Sequence, residues 1–158
     1  MTTLNTKGIK NGQYSGPSGN AVRIRGNYTT NASGVAANQS DLATAVQIND
    51  IVRIGFLPAG TELQSAEAIV SDAFAASTTA DIGFLYADGV DSSAVPQNAA
   101  YFFSGLATSS TSRTRATAVN APVRLPKDAY LTLTRKGAAD SAGGIVDVIA
   151  EGVLQGAP

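Results

Sequence analysis

Ala80-Asp81-Ile82-Gly83-Phe84-Leu85-Tyr86-Ala87-Asp88-Gly89 is the stretch that decides the fold. Ile82, Phe84 and Tyr86 recur at every second position. That period is the one a strand shows when one face packs on a core and the other does not. Asp88-Gly89 follows as a hairpin-type turn signal.

The same alternation extends in both directions. Residues 21–30 set Val22, Ile24 and Tyr28 against Arg23, Arg25 and Asn27, and residues 50–57 place Val52, Ile54 and Phe56 on one face before Pro58-Ala59-Gly60 ends the run. Residues 61–72 put Ala66, Ala68 and Val70 opposite Glu67 and Ser71. Residues 119–125 alternate through Val119, Ala121, Val123 and Leu125, with Pro122 removing a ladder donor and so marking an edge strand. In residues 129–135, Leu131 and Leu133 oppose Tyr130, Thr132 and Thr134, and residues 145–154 turn Val146, Val148 and Ala150 inward.

Residues 99–106 are apolar on both faces, as a central strand or a short buried helix would be. Residues 31–40 and 107–118 read as polar loops, and 41–47 as one or two helical turns begun by an aspartate cap. About eight short strands without helices of 10–15 residues between them exclude a parallel βαβ fold and predict an all-β, antiparallel two-sheet sandwich. The many inward alanines imply sheets that approach closely. Residues 1–20, polar with Gly8, Gly12, Gly16 and Gly19 around Pro17, predict an extended or flexible N-terminal arm ahead of a sandwich domain over 21–158.

The chemistry is defined by what is missing. The 158 residues contain no cysteine and no histidine, which removes thiolate ligands, disulfides, cysteine nucleophiles and the side chain best suited to proton transfer near neutrality. The four lysines, Lys7, Lys10, Lys127 and Lys136, offer no Ser-x-x-Lys spacing. Glu62 and Glu67 fall at opposite parities of one strand, so as a carboxylate pair they are expected to face apart. Asp88 and Asp91 lack the spacing and the glutamate of a calcium loop. Gly12, Gly16 and Gly19 lead into a strand rather than the helix a phosphate loop needs. The sequence therefore predicts no enzyme, no metal and no cofactor.

Charged residues make up 15% of the chain, against about 25% in an average soluble domain. A surface with few charges is cheap to desolvate against neighbouring subunits. The net charge of −1 gives no pull toward nucleic acid or an anionic membrane. No apolar run reaches the roughly 18 residues of a membrane span, and the first ten residues lack a hydrophobic signal core, which predicts synthesis and use inside one cell. Lys7, Lys10, Arg23 and Arg25 all precede the first acidic residue, Asp41. They form a small basic patch expected to dock on an acidic protein surface.

Gly55-Phe56-Leu57-Pro58-Ala59-Gly60-Thr61-Glu62-Leu63, then Ala80-Asp81-Ile82-Gly83-Phe84-Leu85, Tyr86-Ala87-Asp88-Gly89, Asp128-Ala129-Tyr130-Leu131-Thr132-Leu133 and Gly144-Ile145-Val146-Asp147-Val148 stand in an order that resembles the head decoration, or cement, proteins of tailed bacteriophages. The resemblance covers roughly residues 50–154 and brings no catalytic motif. It implies a jelly-roll-like sandwich and a structural virion protein on the capsid exterior, made in the host cytoplasm. It implies the major capsid protein as partner and self-association as a small homo-oligomer. Lys7, Lys10, Arg23 and Arg25 are then the expected capsid contacts. A tail or fibre subunit would share most of these features. A carbohydrate-binding sandwich would call for more exposed aromatics than a chain with no tryptophan provides.

Overall fold

The computed structural model describes residues 3–5, 20–37 and 43–156, the first of these by backbone alone. Ten strands account for its regular structure: β1 Thr3–Asn5, β2 Asn20–Thr30, β3 Ile51–Leu57, β4 Thr61–Asp72, β5 Thr79–Tyr86, β6 Asn98–Ala107, β7 Ser112–Arg115, β8 Val123–Arg124, β9 Ala129–Lys136 and β10 Gly144–Leu154. They form two sheets, ordered β1-β3-β9-β5-β6 and β2-β10-β4-β7, with β8 also paired to β4. Apart from the parallel β1–β3 pair, all ladders are antiparallel. The orders β3-β9-β5-β6 and β2-β10-β4-β7 are the two four-stranded sheets of a jelly roll, in which the chain alternates between sheets and neighbours in space come from distant parts of the sequence.

The inward faces are those the alternation predicts. Val22, Tyr28, Val52, Ile54, Ala66, Ala68, Val70, Ile82, Phe84, Tyr86, Leu131, Leu133, Val146, Val148 and Ala150 are all buried. Ala66 and Ala68 of β4 pair with Ala150 and Val148 of β10, so small side chains line the middle of one sheet, in the same core cluster as Leu131, Leu133 and Ile82 of the other.

Bulges overturn two face assignments. In β3 the register passes from Arg53↔Thr132 to Gly55↔Leu131, leaving Ile54 as an extra residue. One extra residue reverses the parity of everything after it. Leu57 therefore turns into the core, while Phe56 leaves the face of Val52 and Ile54, is half-buried and meets the Tyr130 ring edge-on at 5.8 Å. In β4 the pairs Ser65↔Glu151 and Leu63↔Gly152 leave Gln64 over. Glu62 and Glu67 consequently lie on the same outer face, not on opposite ones.

Other segments also differ from their sequence reading. Residues 43–47 form no helical turn. Ala45 bridges to Val35, and the Val46 amide donates to the Gly34 carbonyl as its side chain enters the core; residues 41 and 42 lie outside the described ones. Residues 99–106 are strand, lying at a sheet edge rather than centrally. The polar loop 107–118 contains β7. Of residues 119–125 only Val123 and Arg124 pair, to Leu63 and Glu62 at an edge; Val119 is fully exposed. Asp88-Gly89 does turn, with Gly89 at φ +72 and its amide donating to the Tyr86 carbonyl, but the β5–β6 connection runs on to Gln97.

Candidate functional site

The expected contact residues Arg23 and Arg25 stand on β2 with their side chains 76% and 68% exposed. Lys7 and Lys10 lie outside the described residues. The structure adds Arg113 and Arg115 from β7, at the other edge of the same sheet and equally open to solvent. Between these two arginine edges run the central strands β10 and β4, which supply half-buried Asp147, Glu151 and Glu67.

The charges interlock across strands. Arg23 reaches Glu151 at 3.0 Å and Arg25 reaches Asp147 at 2.8 Å. Asp147 also accepts from the Asn27 amide at 2.9 Å. Arg115 spans β4 to meet the other oxygen of Glu151 at 2.9 Å, and Arg113 pairs with Glu67 at 3.1 Å. Four guanidinium groups on three carboxylates leave one positive charge in excess. Each arginine still turns donors outward, in the planar fork that suits carboxylates. Half-buried Ile149 and Ile69 lie between the charged rows, giving the face apolar as well as ionic contact area. Exposed arginines on edge strands also discourage unplanned sheet-to-sheet pairing.

These ion pairs contribute little to folding. Exposed pairs are worth about 0–1 kcal/mol after screening by solvent and salt. Arg25→Ala is therefore expected to lower stability by less than about 1 kcal/mol in urea denaturation; a larger loss would make the pair a structural element rather than a presented one.

The acidic residues weighed for chemistry have structural partners. Lys127 donates to both oxygens of Asp88 at 2.7 and 3.0 Å, holding that carboxyl below the ordinary aspartate value. Asp91 accepts from the Ser92 and Gln97 amides and shapes the β5–β6 loop. Glu62 accepts from the Gln64 and Gln155 side chains, and Glu67 belongs to Arg113. Among the described residues no group of three or more His, Cys, Asp or Glu side chains is placed to hold a metal ion.

Arg113 and Arg115 were legible in principle, since Arg113-Thr114-Arg115 repeats the spacing of Arg23-Ile24-Arg25. Their serine- and threonine-rich surroundings masked a strand of only four residues.

Two solved structures carry this fold. A chain in the capsid of Ralstonia phage GP4 matches with a TM-score of 0.65 at 16% identity, over 99% of this chain and 100% of that one. A chain in the capsid asymmetric unit of cyanophage Pam1 matches with a TM-score of 0.58 at 16% identity, over 91% of this chain and 94% of that one. No protein-family model matches the sequence, and no curated protein matches it. At this identity the likeness establishes a shared fold.

Proposed function

We propose that this chain is a structural virion protein, a decoration or cement subunit that binds the outer surface of an assembled phage capsid and stabilises it. The observation that carries the reading is the whole-chain match to a chain in a phage capsid, which leaves essentially no part of either chain unaccounted for. The lack of histidine and cysteine is in keeping with a role in binding rather than chemistry.

The arginine-edged face of β2-β10-β4-β7 is the docking surface in this proposal, with Lys7 and Lys10 extending it along the arm. An acidic shell surface would compete for outward guanidinium donors that the internal acids only partly occupy. Such contacts steer encounter and lose strength as salt rises. Where the shell repeats, many weak contacts add through avidity.

The test mixes the purified full chain with undecorated shells and measures occupancy by sedimentation. Reversing Arg23, Arg25, Arg113 and Arg115 to glutamate is expected to weaken binding at least about tenfold, because like charges then face the shell. Lys7→Glu with Lys10→Glu tests the arm without removing β1. Lys136→Glu, on the other sheet, is the control that leaves occupancy unchanged. Unaltered binding by the four-arginine variant would overturn the docking face, and absence of wild-type binding would overturn the role.

A further inference from the structure

Asp88-Gly89, the exposed turn that follows β5, is also a dipeptide whose backbone can rearrange. When the Asp88 carboxyl is protonated, the Gly89 nitrogen can attack its Cγ. An N–Cγ bond forms, the carboxyl hydroxyl leaves as water with the amide proton, and a succinimide ring results. Solvent water then opens the ring. Breaking the N–Cγ bond restores aspartate. Breaking the bond from that nitrogen to the Asp88 main-chain carbonyl carbon leaves the chain running through Cβ and Cγ as isoaspartate. The water released in closure is consumed in opening, so the mass does not change. Glycine leaves the attacking nitrogen unshielded, and a Cβ at Gly89 would meet nothing within 4 Å.

The fold opposes the attack from both sides. The nucleophile is occupied, because the Gly89 amide donates to the Tyr86 carbonyl at 3.1 Å. The electrophile is held as a carboxylate, from which no hydroxyl can leave. Lys127 donates to both Asp88 oxygens at 3.0 and 2.7 Å, and the Val90 amide donates to Oδ1 at 2.9 Å. Lys127 is itself fixed by a bond to the Val90 carbonyl and by the Tyr86 ring, 4.7 Å from its ammonium. The opposite charge and these hydrogen bonds keep Asp88 below the ordinary aspartate value, which leaves little protonated acid near neutrality. The other ionisable groups around the turn are turned to their own partners. Asp91 accepts from the Ser92 and Gln97 amides, Asp128 from the Ala59 amide, and the Tyr86 hydroxyl donates to the Val95 carbonyl.

We propose that Asp88-Gly89 is a site of backbone isomerisation and that Lys127 guards it, holding the carboxylate ionised and turned into the turn. Without that ammonium the acid protonates more readily and the Gly89 nitrogen closes the ring. Isoaspartate adds a methylene to the main chain between the two residues. It would break the Gly89 and Val90 bonds that shape the start of the β5–β6 loop.

Prolonged incubation of the full chain at physiological temperature tests this. An aspartate-specific endoproteinase cuts before Asp88 but not before isoaspartate, so conversion appears as an uncut 81–90 peptide of unchanged mass. The folded wild type is expected to convert slowly, and Lys127→Met several-fold faster. Lys127→Arg should behave as the wild type, while Lys127→Met with Gly89→Ala should convert far more slowly than Lys127→Met alone. Conversion rises as the pH falls, and the rise should begin at lower pH in the wild type than in Lys127→Met, because the pair lowers the acid's pKa. In denaturing urea, which dissolves the pair, wild type and Lys127→Met should convert equally fast. A folded wild type that isomerises as fast as it does in urea overturns the inference. So does a Lys127→Met that converts at the wild-type rate, or a difference between the two that persists in urea.

Discussion

Arg135→Met is expected to lower the unfolding free energy by about 3–5 kcal/mol at neutral pH, the cost of breaking a buried ion pair by removing one partner. Arg135 and Asp140 are both fully enclosed, with a guanidinium nitrogen 3.1 Å from the carboxylate. Arg135 also donates to the Thr108 hydroxyl at 2.8 Å, and its guanidinium lies 4.7 Å from the Phe74 ring centre. Tyr28 of β2 stacks on Phe74 and donates its hydroxyl to Asp140. The cluster thus ties both sheets to the β9–β10 and β4–β5 loops, and the Asp140 amide adds the 43–49 segment through the Val46 carbonyl.

The loss should depend on pH. Burial pushes the Asp140 carboxyl above the ordinary aspartate value, while Arg135 and the Tyr28 hydroxyl pull it back. Without Arg135 the upward push is less opposed. A raised carboxyl binds its proton more tightly in the folded state than in the unfolded chain. Its contribution is therefore fully present below the unfolded value and is lost as the pH climbs through the folded one. The deficit of Arg135→Met should accordingly shrink as the pH falls toward the aspartate range, and Arg135→Met with Asp140→Leu should recover much of the loss. Urea denaturation across that range measures both. A deficit that stays the same or grows on acidification would mean that Asp140 is not left as an unpaired buried acid.

Gly83→Ala is the second large effect, expected to cost about 3 kcal/mol or more, at the upper end for forcing atoms into a packed interior. The β5–β6 register passes from Ile82↔Phe103 to Phe84↔Asn98, so residues 99–102 of β6 stand opposite Gly83. A Cβ there would sit 2.0 Å from the Asn98 carbonyl oxygen and 2.6 Å from the Tyr101 amide nitrogen. Both are backbone atoms and cannot swing aside as a side chain can. Moving them disturbs Tyr101, which packs edge-on against Phe84 and Phe102 and bonds to Ala121. Gly89→Ala is the comparison. Its Cβ meets nothing within 4 Å, and only the left-handed φ of +72 opposes it, a cost of about 1–2 kcal/mol. If the two variants unfold at the same urea concentration, steric conflict with β6 is not what requires Gly83.

The strands were legible because their signal is local. The inward residues that the alternation along 145–154 and 80–86 picks out are buried in β10 and β5, with Gly83 buried as well, since a two-residue period needs only one face toward a core. The alternation misled in β3 after Ile54 and in β4 before Gln64, at Glu62, where one extra residue reverses the faces and the residue types on either side still look alternating. Residues 119–125 misled differently: the alternation is present, but only Val123 and Arg124 join a ladder, while bonds to Tyr101 hold Asn120 and Ala121. Arg135 read as the last residue of an ordinary strand, and Asp140 as part of a loop, because nothing in their own neighbourhood shows that Tyr28 and Thr108 will enclose them.

By itself, then, the amino-acid sequence determined that this is an all-β chain without the histidine or cysteine on which most catalytic and zinc sites rely, and it identified most of the side chains that fill the core. Tertiary structure decided the jelly-roll strand order, the sheet shared by Arg23, Arg25, Arg113 and Arg115, and the partners of each charge. The physical reason is distance along the chain. Arg25 and Asp147 are 122 residues apart, and their meeting depends on β2 and β10 pairing in one register out of several that local periodicity would permit.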